Sequence, residues 1–304
     1  MFDCVLTLIG AAPEETPVAA VGETARELLL GLGGAVGEPD WLAPRQACDL
    51  FFRGGDLDLA AAALRAAIGR RFAAAKVDLV VQPAAERRKR LIVADLESTL
   101  IENEMLDDLA ELIGVKPKVA EITRQAMNGE IDFAQALKSR VALFEGLPEA
   151  ELLRAAANIR LTPGARTLIA TARAHGAFVA LVTGGFDFFV RHVQTMLDFD
   201  AVVANHLVIE DGKLAGKVLE PIVGKEGKEA ALRRLAAERG VGLSATLAVG
   251  DGANDLPMLK AAGLGVAFRA KPLVVAQIRN RIDHGDLTAL LYAQGFRVEE
   301  LSSE

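Results

Sequence analysis

Two hydrophobic periods alternate along this chain, and the places where one gives way to the other divide it into parts. In residues 1–82, "CVLTLIG", "ACDLFFRG" and "VDLVVQP" are apolar runs of strand length. Between them, "GETARELLLGL" and "LDLAAAALRAAIGRRFAAA" carry helical spacing. Strands alternating with helices over so short a length predict a small ferredoxin-like α+β unit. No catalytic constellation is visible in it.

"PAAERRKR", residues 83–90, interrupts the pattern. Pro83 breaks regular structure and the four basic residues favour solvent, so a linker is expected. "LIVADLEST" then reads as a buried strand with two acids at its tip. The spacing is helical for about 60 residues afterwards. "NEMLDDLAELIG", "PKVAEITRQAMNG", "DFAQALKSRVALFEG" and "PEAELLRAAANI", punctuated by Gly or Pro, predict a helical insertion over about 102–162. Strand-helix alternation resumes at "TPGARTLIATARAHG" and "AFVALVTGG" and runs to "HGDLTALLYAQG". The expected fold class is therefore α/β: a Rossmann-like parallel sheet over 91–304, helices on both faces, and the helical cap above the strand ends.

Composition narrows the function classes. The 304 residues suffice for two domains, and half of them are hydrophobic, which supports a real core. A formal net charge of −7 disfavours a nucleic-acid partner. No apolar run approaches the roughly 18 residues of a membrane span, and "MFDCVLTLIG" lacks the basic leader of a secretory signal. Cys4 and Cys48 show neither metal-ligand spacing nor a disulfide framework, which fits a reducing cytoplasm. The histidines at 175, 192, 206 and 284 are scattered and read as surface or packing residues rather than zinc ligands. Oligomeric state is not legible; a homodimer is one candidate.

Three strands end in polar sequence: "LIVADLEST", "FVALVTGGF" and "TLAVGDGANDLP". Singly, each is an ordinary cap or turn, and "GDGAND" lacks the full calcium-loop pattern. Together they place Asp95, Glu97, Asp251 and Asp255 at the ends of two core strands. Clustered acids repel unless a cation neutralises them, and an all-oxygen ligand set favours magnesium. Gly184 and Gly185 free backbone N–H groups for an anion, and Thr183 adds a hydroxyl. "GKEGKEAALRRL" offers Lys225 or Lys228 at a helix start, where a cation opposes the helix dipole and serves structure poorly. "IVGKEGKE" lacks the glycine spacing and hydroxyl of a Walker A loop. A divalent cation beside an anion nest is what phosphoryl transfer requires.

The order D-x-acid-S-T, hydroxyl-Gly-Gly, Lys, G-D-G-x-N-D-x-P resembles the haloacid dehalogenase-like phosphohydrolases. More narrowly, "ENEMLDDLAEL", "EITRQAMNGEIDFAQALKSRVALFEGL" and "AVGDGANDLPMLKAAGLGVAF" look like the bacterial phosphoserine phosphatase branch, over about residues 90–295. The resemblance implies Mg2+-dependent hydrolysis of O-phospho-L-serine, the last step of serine biosynthesis. It gives Asp95 the role of nucleophile, with magnesium held by Asp95, the backbone carbonyl of Glu97, and Asp251. Thr183 and Gly184 would hold phosphoryl oxygens, Lys228 would neutralise charge, and Asn254 and Asp255 would complete the surrounding hydrogen bonds. In the cap, Glu104 and Arg140 would meet the substrate's ammonium and carboxylate, while Met127 and Phe133 close over it. Residues 1–82 lie outside the clear resemblance; the family often carries an ACT-like module there.

Glu97 departs from the pattern, which normally has aspartate as its proton carrier. The backbone carbonyl is unaffected, whereas the carboxyl reaches about 1.3–1.5 Å further. A working phosphatase is the leading expectation because Asp95 and Asp251 are intact. Slower hydrolysis of the aspartyl phosphate, favouring transfer to a second alcohol, is one alternative. Others are a phosphatase for another small phosphomonoester and a serine-binding regulatory pseudoenzyme.

Overall fold

Short apolar strands must pair, and those of the first 83 residues pair mainly with one another. A computed structural model of the chain describes residues 2–12, 14, 16–127 and 130–303, with Met127 as backbone alone. In chain order come β1 (Cys4–Gly10), α1 (Val18–Gly31), β2 (Asp40–Ala43), β3 (Ala47–Phe52), α2 (Leu57–Arg71) and β4 (Val77–Pro83). The strands are antiparallel in the order β2-β3-β1-β4, a ferredoxin-like arrangement. The sequence pattern does not announce β2, because four residues are too few to show a period. Helices α1 and α2 cover one face, packing Val21, Leu29, Leu64 and Ile68 into a cluster with Leu6, Leu8 and Leu50.

The second region opens with β5 (Leu91–Ala94). Next comes the helical insertion: α3 (Met105–Leu112), α4 (Lys116–Met127), α5 (Phe133–Ala142) and α6 (Glu149–Ala156). The chain continues through α7 (Ala165–Ala174), β6 (Phe178–Phe186), α8 (Asp187–Val193), β7 (Ala201–Asn205), β8 (Leu207–Glu210), β9 (Lys213–Val218) and α9 (Lys225–Glu238). It closes with β10 (Thr246–Gly250), α10 (Leu256–Ala261), β11 (Leu264–Phe268), α11 (Pro272–Val275), β12 (Asn280–Ile282) and α12 (Ala289–Ala293). The order β12-β11-β10-β5-β6-β7 is parallel throughout.

Burial on both faces explains why these strands are uninterrupted apolar runs. In β5, Ile92 and Ala94 join a cluster with α7 and α12, whereas Leu91 and Val93 join one with α9 and α10. Register sets Ala94 beside Leu181 of β6 and Val249 of β10, so Asp95, Thr183 and Asp251 follow within two residues at the same edge of the sheet. The run "AVVANHLVIE" divides at His206, and β8 with β9 forms a separate antiparallel hairpin. That hairpin grips the cap: Gly146 N donates to Leu214 O at 2.8 Å, Leu214 N to Leu147 O at 2.9 Å, and Glu149 N to Gly212 O at 2.9 Å.

The two regions share one ten-stranded sheet, joined where Arg281 of β12 pairs with Leu79 of β4. Asp78 of β4 accepts from the amides of Asp283, His284 and Gly285. The connecting segment departs from the expected solvated linker. Arg87 is mostly covered, its side chain forking onto Asp49 at 2.5 and 2.6 Å while donating to Ala293 O at 3.0 Å. Lys89 is buried, with its ammonium on Ser244 O at 2.8 Å. Both side chains follow the partners that the tertiary fold supplies. No helix among the described residues is long and apolar enough to cross a membrane.

Candidate active site

Asp95 leaves β5 with its amide still bonded to Val249 O, at 3.0 Å, so the sheet fixes its position. The chain then turns tightly: Leu96 O accepts from Thr99, Leu100 and Ile101, and Ser98 adopts a left-handed φ of 55°. Across the sheet, β10 delivers Asp251, and Asp255 stands at the start of α10. A Cβ on Gly250 would fall 2.4 Å from the Asp255 carboxyl carbon, so only glycine permits this approach. Asp255 Oδ2 accepts from Gly252 N at 3.0 Å.

Of the two candidate lysines, the structure buries one. Lys225 is 60% exposed and faces Glu226, whereas Lys228 is fully buried with its ammonium 2.6 Å from both Asp95 Oδ1 and Asp255 Oδ1. Removing these charges from water is costly, and the mutual pairing offsets that cost. Burial opposes the charge on Lys228, but Asp255 and Asp95 outweigh it and hold the ammonium above its ordinary range. Burial, with Asp255 adding to it, pushes the Asp95 carboxyl up to about 7 against the pull of Lys228. Carboxylate oxygens of Asp95, Asp251 and Asp255 lie within 4.8 Å of one another, all on buried residues. Such a hard, all-oxygen donor set fits a divalent cation.

Glu97 turns toward the cap. Its Oε1 accepts from Met105 N, in the first turn of α3, at 3.0 Å. Burial and then the neighbouring Glu104 push its carboxyl up to about 8. Glu104, which precedes α3, accepts from Ser98 Oγ at 2.8 Å, and burial raises it above the usual carboxylate range. Among the described residues the buried Nε of Arg140, on α5, has no hydrogen-bond partner, a donor that calls for an acceptor. Phe133 closes over the glycine turn, its ring 3.3 Å from where a Gly184 Cβ would stand, with Asn254 Nδ2 at 3.6 Å from the same point. Gly185 N donates to Thr183 Oγ1 at 2.9 Å, leaving the hydroxyl proton of Thr183 to give elsewhere. The Met127 side chain lies outside the described residues.

Three contributors were not legible in the sequence. Asn205 ties two glycine-bearing segments together, donating to Gly184 O at 2.8 Å and accepting from Val223 N at 2.7 Å. Ser98 orients Glu104, and Lys271 reaches Asp251 Oδ2 at 3.2 Å. The partners of Asn205 and Lys271 lie far off in sequence, so no local spacing marks them, and the role of Ser98 depends on the fold of the turn before α3.

A family profile described as haloacid dehalogenase-like hydrolase matches residues 92–260. The chain is 46% identical over 242 residues to a phosphoserine phosphatase of Streptomyces coelicolor, covering 79% of this chain and 59% of that protein. It is 48% identical over 199 residues to a phosphoserine phosphatase of Streptococcus thermophilus, covering 66% of this chain and 93% of that protein. A solved structure described as a phospho-aspartyl intermediate analogue of phosphoserine phosphatase superposes with a TM-score of 0.63 at 40% identity, over 67% of this chain and 98% of that one. The ordered strand-end motifs and a profile spanning more than half the sequence agree: the chain belongs to the haloacid dehalogenase-like hydrolases.

Proposed function

We propose that the chain is a phosphoserine phosphatase, hydrolysing O-phospho-L-serine to L-serine and inorganic phosphate through an aspartyl phosphate on Asp95. The observation that carries this reading is the buried Lys228 bridging Asp95 and Asp255 at 2.6 Å beside Asp251. One Asp95 oxygen is held by the lysine, which leaves the other to attack phosphorus. As that bond forms, the bond from phosphorus to the serine oxygen breaks, and Glu97 gives its proton to the leaving oxygen. Glu97 then takes a proton from water, whose oxygen attacks phosphorus and frees Asp95. Thr183, Gly184 and Asn254 receive phosphoryl oxygens, while Asp255 keeps Lys228 in place. Asp95, Asp251 and the backbone carbonyl of Glu97 would hold Mg2+, which supplies neutralisation of phosphoryl charge.

The cap supports the amino-acid half of the assignment. Glu104 offers a carboxylate to an ammonium, and Arg140 has an unmet donor for a carboxylate. Phe133, packed over the Gly184 turn, would help enclose the substrate. We take residues 1–82 as an ACT-like module, 83–90 as its connector and 91–304 as the catalytic domain with its cap at 102–162, working in the cytoplasm.

Phosphate release from O-phospho-L-serine, with and without Mg2+, tests the reading. Asp95→Asn should lose more than about 10³-fold in kcat. Glu104→Gln or Arg140→Ala should raise KM for phosphoserine about tenfold or more while sparing a generic aryl phosphate. Equal losses on both substrates would sink the amino-acid assignment.

A further inference from the structure

Lys271 has no role in the reaction derived above, yet it touches both halves of the site. Its backbone amide donates to Asp251 O at 3.0 Å, which anchors the residue at the start of α11. Its ammonium lies 3.2 Å from Asp251 Oδ2 and 3.9 Å from Glu104 Oε1. The side chain is 63% exposed, whereas that of Asp251 is only 8% exposed. A long, solvated cation therefore straddles two fixed acids, one on the core and one on the cap.

Those acids are the ones assigned to the divalent cation and to the substrate ammonium, and the inference rests on that reading. We propose that Lys271 is a displaceable counter-ion, occupying the charge positions of both ligands in the free protein and yielding them when the ligands arrive. The two acids repel each other, and an ammonium between them offsets that repulsion between cap and core. A tethered lysine can leave because its head is already in water and its stem has several rotatable bonds. A buried lysine such as Lys228 has no comparable exit.

Displacement has a cost that binding must overcome, which gives the proposal a sign. Removing the ammonium should tighten metal binding, whereas a lysine whose contact with Asp251 does not persist in solution would leave it unchanged. Calorimetric titration of the substrate-free protein with MgCl2 at low ionic strength reads this directly. Lys271→Met should bind Mg2+ about two- to fivefold more tightly, the scale of a solvent-exposed ion pair, while Lys271→Arg should match the parent. Unchanged or weaker binding in Lys271→Met, from a parent that binds Mg2+ and hydrolyses phosphoserine, overturns the role of Lys271 alone. A parent that neither binds Mg2+ nor releases phosphate overturns the functional reading and this inference together.

Discussion

At the scale of single residues, Glu97 needs room, and Gly185 provides it. A Cβ on Gly185 would lie 3.3 Å from the Glu97 carboxyl carbon and 3.2 Å from Thr183 Oγ1. Gly185→Ala is expected to displace the proton carrier and cut kcat about tenfold or more, since misplacement by about 1 Å can cost ~10²-fold. Shortening the acid in the Gly185→Ala/Glu97→Asp double variant should recover part of that loss, and a double-mutant cycle in kcat measures the coupling. Strictly additive losses would locate the damage elsewhere. Glu97→Gln alone should lose at least about tenfold, at the low end of general acid–base contributions, while Glu97→Asp keeps turnover. Asp95 and Asp251 were legible because each follows an apolar run whose end the sheet fixes, and Asp255 because it closes the "GDGAND" turn just beyond. Lys228 and Lys225 share the same helix start, and only tertiary burial separates them.

At the scale of elements, the cap hangs from the β8–β9 hairpin as well as from β5. Gly216 of β9 has a left-handed φ of +67°, and a Cβ there would meet Glu145 Cβ at 2.9 Å. Gly216→Ala should therefore strain the hairpin and weaken its hold on the cap by about 1 kcal/mol or more. The expected readout is faster amide exchange in α5 together with a raised KM for phosphoserine and largely preserved hydrolysis of an aryl phosphate. An unchanged exchange pattern would count against the hairpin as the support of the cap. The four cap helices were readable from apolar spacing, because their punctuation by Gly and Pro is local. The grip of the hairpin was not, because it is made of backbone hydrogen bonds that carry no side-chain signature.

At the scale of the whole molecule, the ion pair of Arg87 with the buried Asp49 joins the two regions. Its side chains are 11% and 1% exposed, and Arg87 also satisfies carbonyls near α12. Arg87→Ala strands a buried carboxylate, so a loss of about 3–5 kcal/mol is expected from chemical denaturation. The parent should unfold in a single transition seen identically by probes in either region. Two separated transitions would show that the regions are energetically independent. "PAAERRKR" misled on this point for a physical reason. Basic residues before a strand are usually solvated, and nothing near them in sequence reveals that Asp49 and Ala293 await Arg87.

The junction of β4 with β12 has a consequence for what happens if the chain is cut. Without residues 1–83, β12 becomes a raw edge: its outer backbone groups lose the strand that covers them, and Asn280 Oδ1 loses the Val81 amide it accepts at 2.9 Å. Exposed edges recruit strands from other molecules. The isolated catalytic portion should therefore self-associate with time and concentration, as static light scattering would record. Charged substitutions along β12 should suppress that clumping, which makes the first strands of this chain a protective border for the enzyme they precede.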